Sequence, residues 1–104
     1  MKKKKTNSYL WKKLVESSGL NWILRDGVIK ILRINDDKVD QLVDEGKLRI
    51  GIDIFHDNRI LYSLKDIATI LNESFSDTLK SAIKLGLKMM SNYGVISQNM
   101  PKLP

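Results

Sequence analysis

The residues able to do chemistry are few in this sequence. There is no cysteine, so a thiol nucleophile, a disulfide frame and a cysteine-bearing zinc cluster are excluded. The single histidine, His56, stands in the turn-like run His56-Asp57-Asn58 with no glutamate at ligand spacing. It reads as a surface turn residue. Asp36, Asp37, Asp40 and Asp44 are close enough in sequence to suggest a cation site. Lys38 interrupts them, however, and no loop glycine follows in the calcium-binding pattern. They read instead as the solvated face of a helix with acids near its start. No glycine-rich phosphate loop and no nucleophile elbow occur. The expectation is a protein that is not an enzyme and carries no cofactor or metal.

What remains is basic chemistry. The formal net charge is +6, which favours a polyanionic partner. Lys2, Lys3, Lys4 and Lys5 form a charged run at the start. Lys80, Lys84 and Lys88 recur at four-residue spacing, so on a helix they share one side and can reach successive phosphates. Ser76, Ser81, Ser91 and Asn92 accompany them, and Arg49 projects from a strand earlier in the chain. The segment before the lysines, Tyr62 to Asn72, has the marks of the first helix of a helix-turn-helix. Ala68 is small enough for a close helix crossing, and Asn72 tolerates the positive φ that the turn requires. Double-stranded DNA is the expected partner, bound through Lys2 to Lys5, Arg49, Ser76, Lys80, Ser81, Lys84, Lys88, Ser91 and Asn92.

The elements that must position these residues follow from periodicity. A chain of 104 residues with 42% apolar side chains and two prolines makes one domain with one core. A basic tail is expected over residues 1–6, the domain over 7–97 and a C-terminal tail over 98–104. Tyr9, Leu10, Leu14 and Val15 fall on one helical face between Ser8 and Gly19, with Trp11 at its edge. Residues 21–46 are ambiguous. Asp26-Gly27 between apolar pairs is a hairpin signal, whereas Val28, Leu32, Val39, Leu42 and Val43 fit a helical face, the preferred reading. Asp36-Asp37 also suits the start of a shorter helix.

Residues 47–55 alternate as a strand, with the Ile50-Ile52-Ile54 face expected inward and Ile52→Asp expected to cost several kcal/mol. Ser63 to Asp66 resembles a capping box. Ser74 or Ser76 opens a last helix whose inner side carries Ile83, Gly86, Leu87, Met90 and Tyr93. Gly94 ends that helix, and residues 95–97 read as a short strand. No internal repeat is legible. No apolar run approaches the ~18 residues of a membrane span, and no signal-peptide core follows the first lysines. The expected location is the cytoplasm, with no membrane partner.

At this point the sequence resembles the N-terminal domain of phage replisome organisers, a winged-helix family related to DnaD-type initiators. The likeness rests on Tyr9-Leu10-Trp11-Lys12-Lys13-Leu14, Glu45 to Ile50, Tyr62 to Asn72 and Ile83 to Ile96. It implies an α+β, mostly helical, winged helix-turn-helix domain with a small β element. It also implies origin or other sequence-specific DNA binding in phage or plasmid replication or regulation. Replication proteins and a homodimer or higher oligomer are then further partners. Residues 73–80 are longer than the family's turn, and the second half of a wing is missing.

A second resemblance is to ribbon-helix-helix repressors of the CopG and Arc kind. There the strand Leu48 to Phe55, preceded by an N-terminal extension, pairs between two chains and places Arg49 outward. A reading from another class is a phage or plasmid protein that binds a host protein, with Trp11, Trp22 and Tyr93 as anchors.

Overall fold

A computed structural model of the chain describes residues 19–98. In order they form β1 (Leu20–Ile23), α1 (Arg25–Leu32), α2 (Asp36–Asp44), β2 (Ile50–Asp53), β3 (Arg59–Ser63), α3 (Leu64–Leu71), α4 (Phe75–Lys84), β4 (Met89–Ser91) and β5 (Val95–Gln98). The strands make one antiparallel sheet in the order β4-β1-β3-β2-β5.

Sheet curvature follows from chain length. β4 and β5 are the two edges, yet Asn92 to Gly94 is all that joins them. Four steps of extended chain reach ~14 Å at most, whereas the edges of a flat five-stranded sheet lie ~19 Å apart. The sheet therefore curls into a half-barrel. Its concave side is tight: a Cβ on Gly51 would lie 2.5 Å from Val95 Cγ1 and 3.0 Å from the Trp22 ring, two strands away. The four helices pack on the other side, around Ile23, Val28, Val39, Leu48, Tyr62, Leu64, Ile67, Leu79 and Ala82.

The fold is built from two equivalent β-α-α-β units, β1-α1-α2-β2 and β3-α3-α4-β4. Each first helix is followed by a residue in the left-handed region, Arg33 (φ 56°) and Asn72 (φ 57°). Each second helix opens on a side-chain cap, Asn35 for the Lys38 N–H and Ser74 for the Asp77 N–H. Each then stops at a glycine of positive φ, Gly46 and Gly86. The closing bonds also match, Lys47 N–H to Leu42 O beside Leu87 N–H to Ala82 O, both 2.9 Å, which is the Schellman pattern.

Strand register carries the same relation. Ile23 pairs with Tyr62 across the centre, and Ile50 pairs with Tyr62 as Met89 pairs with Ile23. A quasi-two-fold axis thus passes between β1 and β3, and β5 is the strand outside it. This corrects the reading of no repeat. The units share caps and periodicity but few identities, because helices and glycine stops can be specified by many residues.

Several expectations are corrected. The winged helix-turn-helix and the mostly helical class with a small β element give way to four helices on a five-stranded half-barrel sheet. The two strands after α4 go to opposite edges and make no wing hairpin. The ribbon-helix-helix alternative is corrected too: β2 is paired on both sides within the chain, by β3 and β5, and has no free edge for a second copy.

Residues 21–46 are neither hairpin nor one helix. Asp26-Gly27 sits inside α1, where Gly27 packs closely on Ile23: a Cβ there would lie 3.2 Å from Ile23 Cδ1. The last helix ends at Lys84, not near Gly94. The β2 alternation is inverted: Gly51 and Asp53 are buried while Ile50 and Ile52 are half-buried and Ile54 is 46% exposed. The helical layer covers the isoleucine face only at its Ile50 end, so the large cost expected for Ile52→Asp moves elsewhere. The amphipathic stretch at residues 8–18, the basic tail at 1–6 and most of the C-terminal tail lie outside the described residues.

Candidate nucleic-acid interface

The cationic side chains differ in their partners. Arg25, Arg49 and Arg59 are engaged. Arg25 donates to Asp36 (2.7 Å), Asp40 (2.8 Å) and the buried Tyr62 hydroxyl (2.8 Å), which locks the start of α1 to α2 and β3. Arg49 makes a two-pronged contact with Asp66 (2.9 and 3.0 Å), and its backbone N–H adds a third bond to the same carboxylate. Asp66 is thereby taken, so Ser63 caps α3 by accepting from the Asp66 N–H while the reciprocal half of a capping box is replaced by Arg49.

Asp53 is 3% exposed and bonds Arg59 Nε (3.0 Å), His56 Nδ1 (2.9 Å) and the Phe55 N–H (3.3 Å). His56 and the Asp36–Asp40 pair therefore hold turns and helices in place. Among the described residues no group of His, Asp and Glu has metal-binding geometry.

Burial alone pushes the Asp53 pKa up, but the His56 and Arg59 bonds outweigh it and hold the carboxyl below its ordinary value. A carboxyl depressed in the folded state contributes stability above its unfolded pKa and loses it as pH falls through the folded value. Acid unfolding of the native chain should therefore include a component below pH ~4 that Asp53→Asn removes. Urea midpoints measured from pH 6 to pH 2 check this, and parallel curves for both proteins would contradict it.

A second set of cations along α1 and α4 has no such partner. Lys30, Arg33, Lys80, Lys84 and Lys88 make no ion pair with any described residue. Lys30, Arg33 and Lys84 rim a groove of about 530 Å³ between the C-terminal ends of α1, α3 and α4, floored by Ile31, Leu32, Leu71 and Leu85. Its one acidic rim residue, Glu73, accepts a bond from the buried Thr78 hydroxyl (2.8 Å). Lys30 also lines the neighbouring depression with Lys88. Lys84, Arg33 and Lys30 thus share one groove, and Lys30 and Lys88 the next, which Asp26 also lines, with Lys80 one turn back along α4.

The expected DNA-contacting residues are thus only partly gathered. Lys80 and Lys84 lie on the exposed side of α4, opposite buried Leu79 and Ala82, and Ser81 lines the groove. Lys88 is on the connector after the helix but rejoins the surface through Lys30. Ser76 is half-buried near the start of α4. Ser91 ends β4 and Asn92 follows it in the connector to β5; Asn92 accepts from the Trp22 indole N–H (2.7 Å) and lines a different pocket together with Arg49. Lys2 to Lys5 lie outside the described residues.

Lys30 and Arg33 were missed by sequence reading. Their signal was present only as the end of an apolar-periodic stretch whose partner helix was unknown. Charge is also distributed unexpectedly. Residues 19–98 hold as many acidic as cationic side chains, so the whole formal charge of +6 resides in the residues flanking them. The folded body is polar, with acids on α2 and unpaired cations along α1 and α4.

Comparison with protein-family models, with curated proteins and with solved structures finds no match for this chain. Among the described residues no helix is long and apolar enough to cross a membrane.

Proposed function

We propose that this chain binds duplex DNA through the α3-turn-α4 unit and the adjoining end of α1, assisted by its lysine-rich N-terminal stretch. The observation that carries the reading is the separation of paired from unpaired cations. Arg25, Arg49 and Arg59 are matched to carboxylates, while Lys30, Arg33, Lys84 and Lys88 line two adjoining grooves, and they and Lys80 on α4 have no ion-pair partner among the described residues. Helix C-termini attract cations on their own account, at ~0.3–1 kcal/mol each. That accounts for Lys30 and Lys84 in last turns but not for Lys80, mid-way along α4. A phosphate backbone, with a charge every ~1.7 Å of duplex, matches a line of such side chains.

The lysines fix affinity and position on the duplex; polar neighbours such as Ser81 supply contacts to base edges. The finer part of the reading, an origin or operator in phage or plasmid replication or regulation, rests on the sequence resemblance. Anisotropy titration of a labelled duplex between 50 and 200 mM salt tests the coarse part. The expected result is a straight fall of log K against log salt with slope near −0.9 for each phosphate contact. Alanines at Lys2 to Lys5 should lower affinity while leaving discrimination between sequences unchanged. Absence of salt-dependent binding removes the proposal, and a host-protein partner then takes its place.

A further inference from the structure

Five of the large apolar side chains that face solvent are gathered at one end of the sheet: Ile54 (46% exposed), Phe55 (60%), Ile60 (40%), Tyr93 (81%) and Ile96 (53%). Their arrangement is built. Ile52 pairs with Ile60 on one side and Ile96 on the other, so three isoleucines form a row across β3, β2 and β5 on one face. The Phe55 and Tyr93 rings stack at 5.4 Å and 33°. Gly94 lies beneath Phe55, where any Cβ would come within 2.3 Å of the ring. The Ile54 N–H bonds Gly94 O (2.9 Å), tying the two turns together. Contiguous apolar patches of this kind mark contact sites, and no described residue covers this one.

We infer that this face is the docking site of the chain's own segment Ser8–Ser18. The segment supplies Tyr9, Leu10, Trp11, Leu14 and Val15 at helical spacing. It also joins the body at the right place. The described chain begins at Gly19, and Leu20 pairs with Ser91, two residues before Tyr93. Paired Cα atoms are ~5 Å apart and an extended residue covers ~3.5 Å. Glu16 to Ser18 are thus long enough to deliver Val15 and Leu14 to the Tyr93 and Phe55 rings. A segment tethered this closely acts at an effective concentration of order mM, which a second copy or a free partner does not reach at ordinary protein concentration. The inference stands independently of the DNA reading.

The absence of cysteine makes the test clean. A nitroxide label on Ser8→Cys, at the far end of the segment, is observed through isoleucine methyl resonances of the full-length protein. The expected result is stronger broadening of Ile54, Ile60 and Ile96 than of Ile29, Ile34 and Ile70 in the helical layer. Phe55→Asp with Tyr93→Asp, both at exposed positions, should abolish that difference. Uniform broadening across all six signals overturns the inference. So does broadening of the same three signals when the label and the isotope are on different molecules, since the occupant is then a second copy.

Discussion

An Ile67→Asp variant is expected to lose most of its folded population at room temperature. Ile67 is fully buried on α3, in the cluster that joins Ile23 of the sheet to the helical layer. Arg25 touches that cluster only at the Tyr62 hydroxyl and is already paired with Asp36 and Asp40, so an ionised carboxylate there is left without a partner. Breaking a buried pair or stranding a charge costs ~3–5 kcal/mol, against a total stability of ~5–15 kcal/mol for a domain of this kind. Ile52→Asp is the informative comparison. Ile52 is half-buried beside exposed Ile60 and Ile96, so its carboxylate keeps contact with water and the expected loss is ~1 kcal/mol. Urea titration followed by circular dichroism separates the two. A reversed order would place the core on the β2-β5 side of the sheet instead of under the helices.

The largest expected effect on binding belongs to Lys80→Glu combined with Lys84→Glu. If each lysine neutralises one phosphate, the slope of log K against log salt falls by ~0.9 per position. Two lost contacts at 0.1 M salt then correspond to ~60-fold in affinity, before repulsion by the new carboxylates is counted. Both side chains are exposed, so the fold should be kept, at a cost of ~1 kcal/mol for the acid that Lys84→Glu places in the last turn of α4. Lys38→Glu is the control, an exposed lysine on the acidic helix α2 that makes a comparable change in net charge per position. It should shift affinity only slightly. Equal effects per position would mean that net charge alone, carried by the terminal stretches, accounts for binding.

How far the sequence reaches is clearest at its local signals. Ser63, Ser74 and Asn72 determined where α3 begins, where α4 begins and how the turn between them is made, because caps and left-handed residues act on their own backbone. Asp57-Asn58 likewise marked the turn of the β2-β3 hairpin, with both residues at φ 55°, a left-handed conformation that Asp and Asn tolerate. The spacing of Lys80 and Lys84 placed them on the outer face of a helix, since that depends only on 3.6-residue periodicity. It carried too far at Lys88, because Gly86 ends the helix through a bond that periodicity does not register.

Tertiary structure alone decided the rest. Strand alternation says that β2 has two unlike faces, not which is buried. Curling of the sheet settles that by closing Gly51 and Asp53 inside and leaving Ile52 and Ile54 at an end no helix reaches. Asp26-Gly27 has the sequence of a turn and lies in a helix, because burial of Val28 and Ile31 on that helix outweighs a propensity of ~1 kcal/mol. Arg33 and Lys30 join Lys84 only where the ends of α1 and α4 meet, and Arg49 is withdrawn from solution only by Asp66. The two-fold relation between the halves is carried by strand register and helix stops, and so it becomes visible only once Ile23 and Tyr62 are seen facing each other.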